Sequence, residues 1–142
     1  MDKIILTAFA LFFGAIYFYM SGQPTPIENP PAALAKGPTL VYFGTRDCPA
    51  CRSFVRSGGL RQMEDFARAN RITFLVKEID SLRDLRKDGA FGEFTSAWRA
   101  TAGKSGRFAV PSFAFVRDGA IIDAEAGNWH GILRKAAEDI KG

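Results

Sequence analysis

The sequence predicts an α/β domain on a mixed sheet, a parallel unit plus an antiparallel hairpin, flanked by helices and preceded by an N-terminal transmembrane helix. Three observations carry this. After residue 38, short β-branched and aromatic runs alternate with segments whose apolar residues share one helical face. Arg117-Asp118-Gly119 joins the last two runs at hairpin spacing. The chain also begins with an uncharged stretch unlike anything that follows.

That stretch, Ile4 to Met20 (IILTAFALFFGAIYFYM), is interrupted only by Thr7 and Gly14. Its 17 residues would rise about 25 Å as a helix, near the lower limit for a hydrocarbon core of about 30 Å. Tyr17 and Tyr19 suit an interfacial aromatic belt. Residues 1–20 are therefore read as a membrane anchor. Lys3 and the terminal amine, weakly opposed by Asp2, keep the N-terminus cytoplasmic. The expected location is a bacterial inner membrane, single-pass, with the C-terminal domain in the periplasm. The alternative is a cleaved signal segment: Ala33-Leu34-Ala35 is a small-residue site just before Lys36, and cutting there leaves a soluble periplasmic protein.

Residues 21–38 hold five of the seven prolines and read as an extended, semi-rigid spacer between membrane and domain. The domain proper spans 39–142. Thr39 to Phe43 is a buried strand, and Gly44 to Asp47 turn the chain. Pro49 opens a helix, where its missing N–H costs nothing. The helix breaks at Ser57-Gly58-Gly59 and resumes with Leu60, Met63, Phe66 and Ala67 on one face, stopping near Asn70. Ile72 to Ile79 is the second strand. After a polar segment at 81–90, Phe91, Phe94, Ala97 and Trp98 mark a helix stopped by Gly103. Pro111 to Val116 and Ala120 to Ala124 form the hairpin. Asn128 caps a last helix with Trp129, Ile132, Leu133, Ala136 and Ile140 on one side.

An apolar share of 47% with 13 Phe supplies a core and excludes a disordered chain. The net charge of +4 does not come from a basic run. Lysines and arginines are mixed with acids, as in Arg83, Asp84, Arg86, Lys87 and Asp88, so the surface reads as solvated and no nucleic-acid partner is expected.

Chemistry concentrates in TRDCPACRSF, which holds the only cysteines, Cys48 and Cys51. A structural zinc site needs four ligands, and the one histidine, His130, leaves the set short, so no metal is expected. At a helix start, unpaired N–H groups and the macrodipole favour a Cys48 thiolate, lowering its pKa below the usual value of about 8.5. Arg46 and Arg52 add to this, and Asp47 opposes it. Cys51, one turn inward past Pro49 and Ala50, is expected to be less exposed and protonated. Such a pair performs thiol–disulfide exchange without a cofactor. A structural disulfide in a binding module and a zinc-linked dimer remain as the other readings.

A strand entering Cys-Pro-Ala-Cys at a helix start, with Val110-Pro111-Ser112-Phe113 entering a later strand, a hairpin and a closing helix, resembles the thioredoxin-like superfamily over residues 37–142. The resemblance implies a thioredoxin-like fold, Cys48 as nucleophile and Cys51 as resolving cysteine. It further implies that Pro111 is a cis-proline against the pair and that Val110 offers main-chain hydrogen bonds to substrate. Partners would be thiols or disulfides of exported proteins and a membrane or periplasmic redox partner. Cys-Pro-x-Cys and a valine before the proline resemble the family's oxidases, but tens of millivolts decide between oxidase and reductase. The chain departs from the family in three ways. Tyr42 stands where thioredoxin has a buried aspartate, Asp47 replaces the tryptophan before the first cysteine, and 81–107 is long. Within it, Phe91, Phe94 and Trp98 read as core, and Phe108 as able to line the substrate groove.

Overall fold

The computed structural model describes residues 2–142, and the backbone alone of residues 2, 20 and 21. The chain runs α1 (Asp2–Ser21), β1 (Thr25–Pro26), α2 (Ala32–Ala35), β2 (Pro38–Thr45), α3 (Pro49–Arg56), α4 (Gly59–Ala69) and β3 (Thr73–Ile79). Then follow α5 (Thr95–Ser105), β4 (Ser112–Arg117), β5 (Ala120–Ala126) and α6 (Trp129–Lys141). The strands lie in the order β1-β5-β4-β2-β3. β2 and β3 are parallel and the other pairs antiparallel, so the parallel unit and the hairpin form one mixed sheet.

β2 is an interior strand between β4 and β3, with every residue from Thr39 to Thr45 buried, which is why it reads as a continuous apolar run. It continues two residues beyond the expected strand, through Gly44 and Thr45. Strand alternation sends Leu40 and Tyr42 to one face and Val41 and Phe43 to the other. On the first face, Phe113 and Phe115 join Phe54 of α3, Met63 of α4 and Ile132 of α6. On the second, Ala114 and Val116 pack with Phe91, Phe94 and Trp98, the three aromatics read as core. Gly58, at φ 85°, makes the expected break between α3 and α4. Asn128 caps α6, its side chain accepting from the Gly131 N–H at 2.9 Å. Gly103 does not stop α5. The helix runs through it and ends at Gly106, whose φ of 74° supplies the left-handed terminus.

The spacer expected at 21–38 is not free. Thr25 and Pro26 pair with Ile121 and Ala120 at the sheet edge, and the Ile27 N–H bonds to Gly119 O at 2.9 Å. Ile27 and Leu34 are 5% and 0% exposed, both in the core of the second face. A proline suits that edge because the strand needs no donor on its open side.

The apolar run forms α1, and its side chains from residue 3 to 19 are exposed. Among the described residues, no helix is long and apolar enough to cross a membrane. Met1 and the Asp2 side chain, which enter the orientation reading, lie outside what is described. Only Gly22 to Pro24 separate α1 from β1, and the Lys104 ammonium donates to the Gln23 carbonyl there at 2.6 Å.

Candidate redox site

The site forms where β2 gives way to α3. The Arg46 N–H bonds to Ile79 O at 2.9 Å, carrying the parallel pairing one step past the strand. Asp47 turns away from the cysteines. Its carboxylate accepts from Thr45 Oγ1 at 3.0 Å, Ser81 Oγ at 3.0 Å and the Leu82 N–H at 2.9 Å. Desolvation raises the Asp47 carboxyl, but these hydrogen bonds outweigh it and hold it below the usual carboxylate range. The residue expected to oppose the thiolate is thus committed to fastening the loop to the segment after β3.

Cys48 is the N-cap of α3, with extended backbone at φ −79° and ψ 117°. Its sulfur accepts the Cys51 N–H at 3.1 Å, one of the amides that a helix start leaves unpaired. Its thiol also donates toward the Val110 carbonyl at 3.7 Å. The Val110–Pro111 peptide is cis. That loop is pinned by Ser112 Oγ donating to Ala109 O and by the Gly127 N–H donating to Pro111 O. Both cysteines are unbonded to each other.

The expected difference in exposure is absent: Cys48 is 3% exposed and Cys51 2%. The two thiols differ in surroundings instead. Burial pushes Cys51 up to about 12; the interaction with Cys48 adds to this, while the Thr45 backbone and the Tyr42 hydroxyl pull it down. Tyr42, the residue in place of the family's aspartate, is wholly buried and its hydroxyl interacts with Cys51 without forming a well-aligned hydrogen bond. Burial, then Cys51, then Glu78 and Cys48 push the phenol upward. A Cβ at Gly44 would overlap this hydroxyl, so the glycine two residues along the same strand face makes room for it.

The structure therefore gathers Cys48, Cys51, Val110 and Pro111. Pro49 and Ala50 form the exposed first turn of α3. Arg46 is not directed at the sulfurs as expected, but pairs with Glu78 at 3.2 Å and Asp80 at 2.7 Å. Arg52 lies with Cys51 along a cleft of about 280 Å³. Phe108, 47% exposed, packs on Trp98 with ring centroids 5.1 Å apart. His130 stacks on Trp129, and among the described residues no three His, Cys, Asp or Glu side chains cluster as a metal site. Sequence reasoning missed Glu78, in register with Gly44 across the parallel pair. Its signal was the charged pair Lys77-Glu78 near the C-terminal end of a mostly apolar strand.

No family model and no curated protein matches the chain. Among solved structures it is similar to a thioredoxin from Aeropyrum pernix, at 21% identity and a TM-score of 0.47 over 74% of this chain and 77% of that one. It is similar to thioredoxin f from spinach chloroplast, short form, at 15% and 0.46 over 78% and 81%, and to Fasciola hepatica thioredoxin at 18% and 0.45 over 75% and 83%. At identities and scores this low, the reading of the site rests on the chain's own residues.

Proposed function

We propose that this chain is a thiol–disulfide oxidoreductase acting on exported proteins. One observation carries the reading: the Cys48 sulfur sits at the N-cap of α3, on the Cys51 N–H and facing the Val110 carbonyl. The N–H groups of a helix start offer hydrogen bonds to an anion at that position. Cys48 attacks a substrate disulfide, a mixed disulfide forms, and Cys51 attacks the Cys48 sulfur to release the substrate thiol. The same steps in reverse oxidise a substrate dithiol, and the reduction potential of the pair sets the direction. Val110, beside Pro111, presents the main chain along which a substrate segment lies. Electrons are exchanged with a membrane or periplasmic redox partner.

The reading includes attachment of α1 to a bacterial inner membrane as a single pass, with the domain in the periplasm. The apolar, exposed side chains of α1 support attachment. Burial of Ile27 and Leu34 argues against maturation at Ala33-Leu34-Ala35, because a chain starting at Lys36 loses β1 and two core residues.

A Cys51→Ser variant expressed in cells is expected to accumulate mixed disulfides through Cys48, and Cys48→Ser to accumulate none. If Cys51→Ser captures no protein, the exchange reading fails. A C-terminal reporter active only after export tests the orientation, and activity confined to the cytoplasm would sink it.

A further inference from the structure

Resolution of a mixed disulfide needs Cys51 as a thiolate, and the surroundings of Cys51 oppose that charge. Burial pushes its thiol up to about 12, so at neutral pH the proton has to be taken from the sulfur before it can attack. A proton acceptor in contact with the Cys51 environment therefore decides how fast the pair turns over.

The open side of Cys51 is the cleft of about 280 Å³, which runs to solvent between β2, β3 and α3. That volume is far above the roughly 15 Å³ of accessible space one water requires. Its lining includes Tyr42, Cys51, Glu78 and the cations Arg46, Arg52 and Arg56. Neither Val110 nor Pro111 borders it, so it is separate from the substrate loop. Glu78 is its one carboxylate, held there by Arg46 at 3.2 Å, while Asp80 takes the other side of that guanidinium at 2.7 Å. Tyr42 borders the same cleft, its hydroxyl buried without a formed hydrogen bond and under the electrostatic influence of both Cys51 and Glu78. A buried hydroxyl in that condition is costly unless it serves a partner that comes and goes.

We propose that Glu78 accepts the Cys51 proton by way of the Tyr42 hydroxyl and water in this cleft, and returns it when the pair runs in reverse. This rests on the exchange chemistry proposed above. In the forward step the Cys51 S–H proton moves to the Glu78 carboxylate. The Cys51 thiolate attacks the Cys48 sulfur, the Cys48–substrate S–S bond breaks, and the Cys48–Cys51 bond forms. The substrate sulfur leaves with the electron pair and takes a proton from solvent. The pair is oxidised by two electrons and the substrate disulfide reduced. Glu78 touches no substrate atom and acts through Tyr42, as a positioning residue for the proton.

The test uses the full chain in detergent micelles, reduced and mixed with a linear peptide dimer joined by one disulfide. Acid quenching and mass spectrometry follow the mixed disulfide. Wild type is expected to clear it without accumulation, at a rate nearly flat from pH 7 to 9. Glu78→Gln is expected to accumulate it and clear it about 10²-fold more slowly at pH 7, recovering about tenfold per pH unit as hydroxide takes over. Glu78→Asp should restore much of the rate. Clearance by Glu78→Gln at the wild-type rate with the wild-type pH profile overturns the proposal. Tyr42→Phe, which keeps the ring, gives an independent arm: slowed, pH-dependent clearance supports the route and wild-type clearance overturns it. If Cys51→Ser, which cannot resolve, forms no mixed disulfide with the peptide at any pH, the exchange reading fails first, an outcome no loss of resolution can imitate.

Discussion

On one face of the sheet, Leu40, Tyr42, Phe113 and Phe115 meet α3, α4 and α6; on the other, Val41, Phe43, Ala114 and Val116 meet α5 and the strap formed by residues 25–35. Both faces are aromatic. Tyr42, Phe54 and Phe113 pack with ring centroids 5.0 to 5.8 Å apart on the first, and Phe43, Phe91 and Trp98 at 5.1 to 5.5 Å on the second. What differs is the origin of the cover. The first face is closed by helices that follow β2 in the chain, and one of them carries Cys48 at its start. The second is closed in part by residues that precede β2 and lead from α1. The helix that carries Cys48 thus lies on one side of a shared interior strand, and the cover that leads from α1 on the other, where Val110 also packs.

The strongest way to probe that division is Leu34→Ala. Removing a wholly buried leucine should cost about 2–5 kcal/mol of stability, read as a lower denaturant midpoint. The reduction potential of the folded fraction should stay unchanged, and a shifted potential would show that the two faces are not independent. Gly44→Ala sharpens the comparison from the other side. Its methyl overlaps the Tyr42 hydroxyl, so overpacking of about 1–3 kcal/mol should come with slower resolution by Cys51. Unaltered kinetics in that variant would detach Tyr42 from the chemistry. The smallest effect belongs to the exposed Asp47 clamp. Its carboxyl is held low in the folded state, so its contribution is present above the unfolded pKa of about 3.9. That contribution is lost as pH falls through the lower folded value. Asp47→Asn should reduce hydrogen-exchange protection of the Leu82 amide at neutral pH, and the difference from wild type should shrink below about pH 4. A difference that persists in acid would count against the clamp.

Much of this was legible in the sequence because local signals agreed with the fold. The apolar run at 39–43, Pro49 at a helix start, Gly58 at a break and Asn128 as a cap each report a short-range constraint. The strap was not legible, because Ile27 and Leu34 are isolated apolar residues among prolines and carry no period. Their burial depends on meeting β5, some ninety residues away in sequence. The site divides in the same way. The cysteines and Val110-Pro111 stand out as motifs, whereas the roles of Asp47 and Glu78 depend on loops and strands brought together by the fold. Tyr42 was visible as a departure, but the room for its hydroxyl depends on Gly44 two residues along.

The strap also fixes how far the domain reaches. A free segment of 21–38 would let the site sweep a wide shell around the end of α1. With β1 paired and Leu34 buried, slack is confined to Gly22–Pro24, a leash of about 10 Å fully extended. If α1 is held in a membrane as proposed above, encounters with partners are then governed by diffusion of the whole molecule along that plane, and targets would have to present their sulfurs close to it.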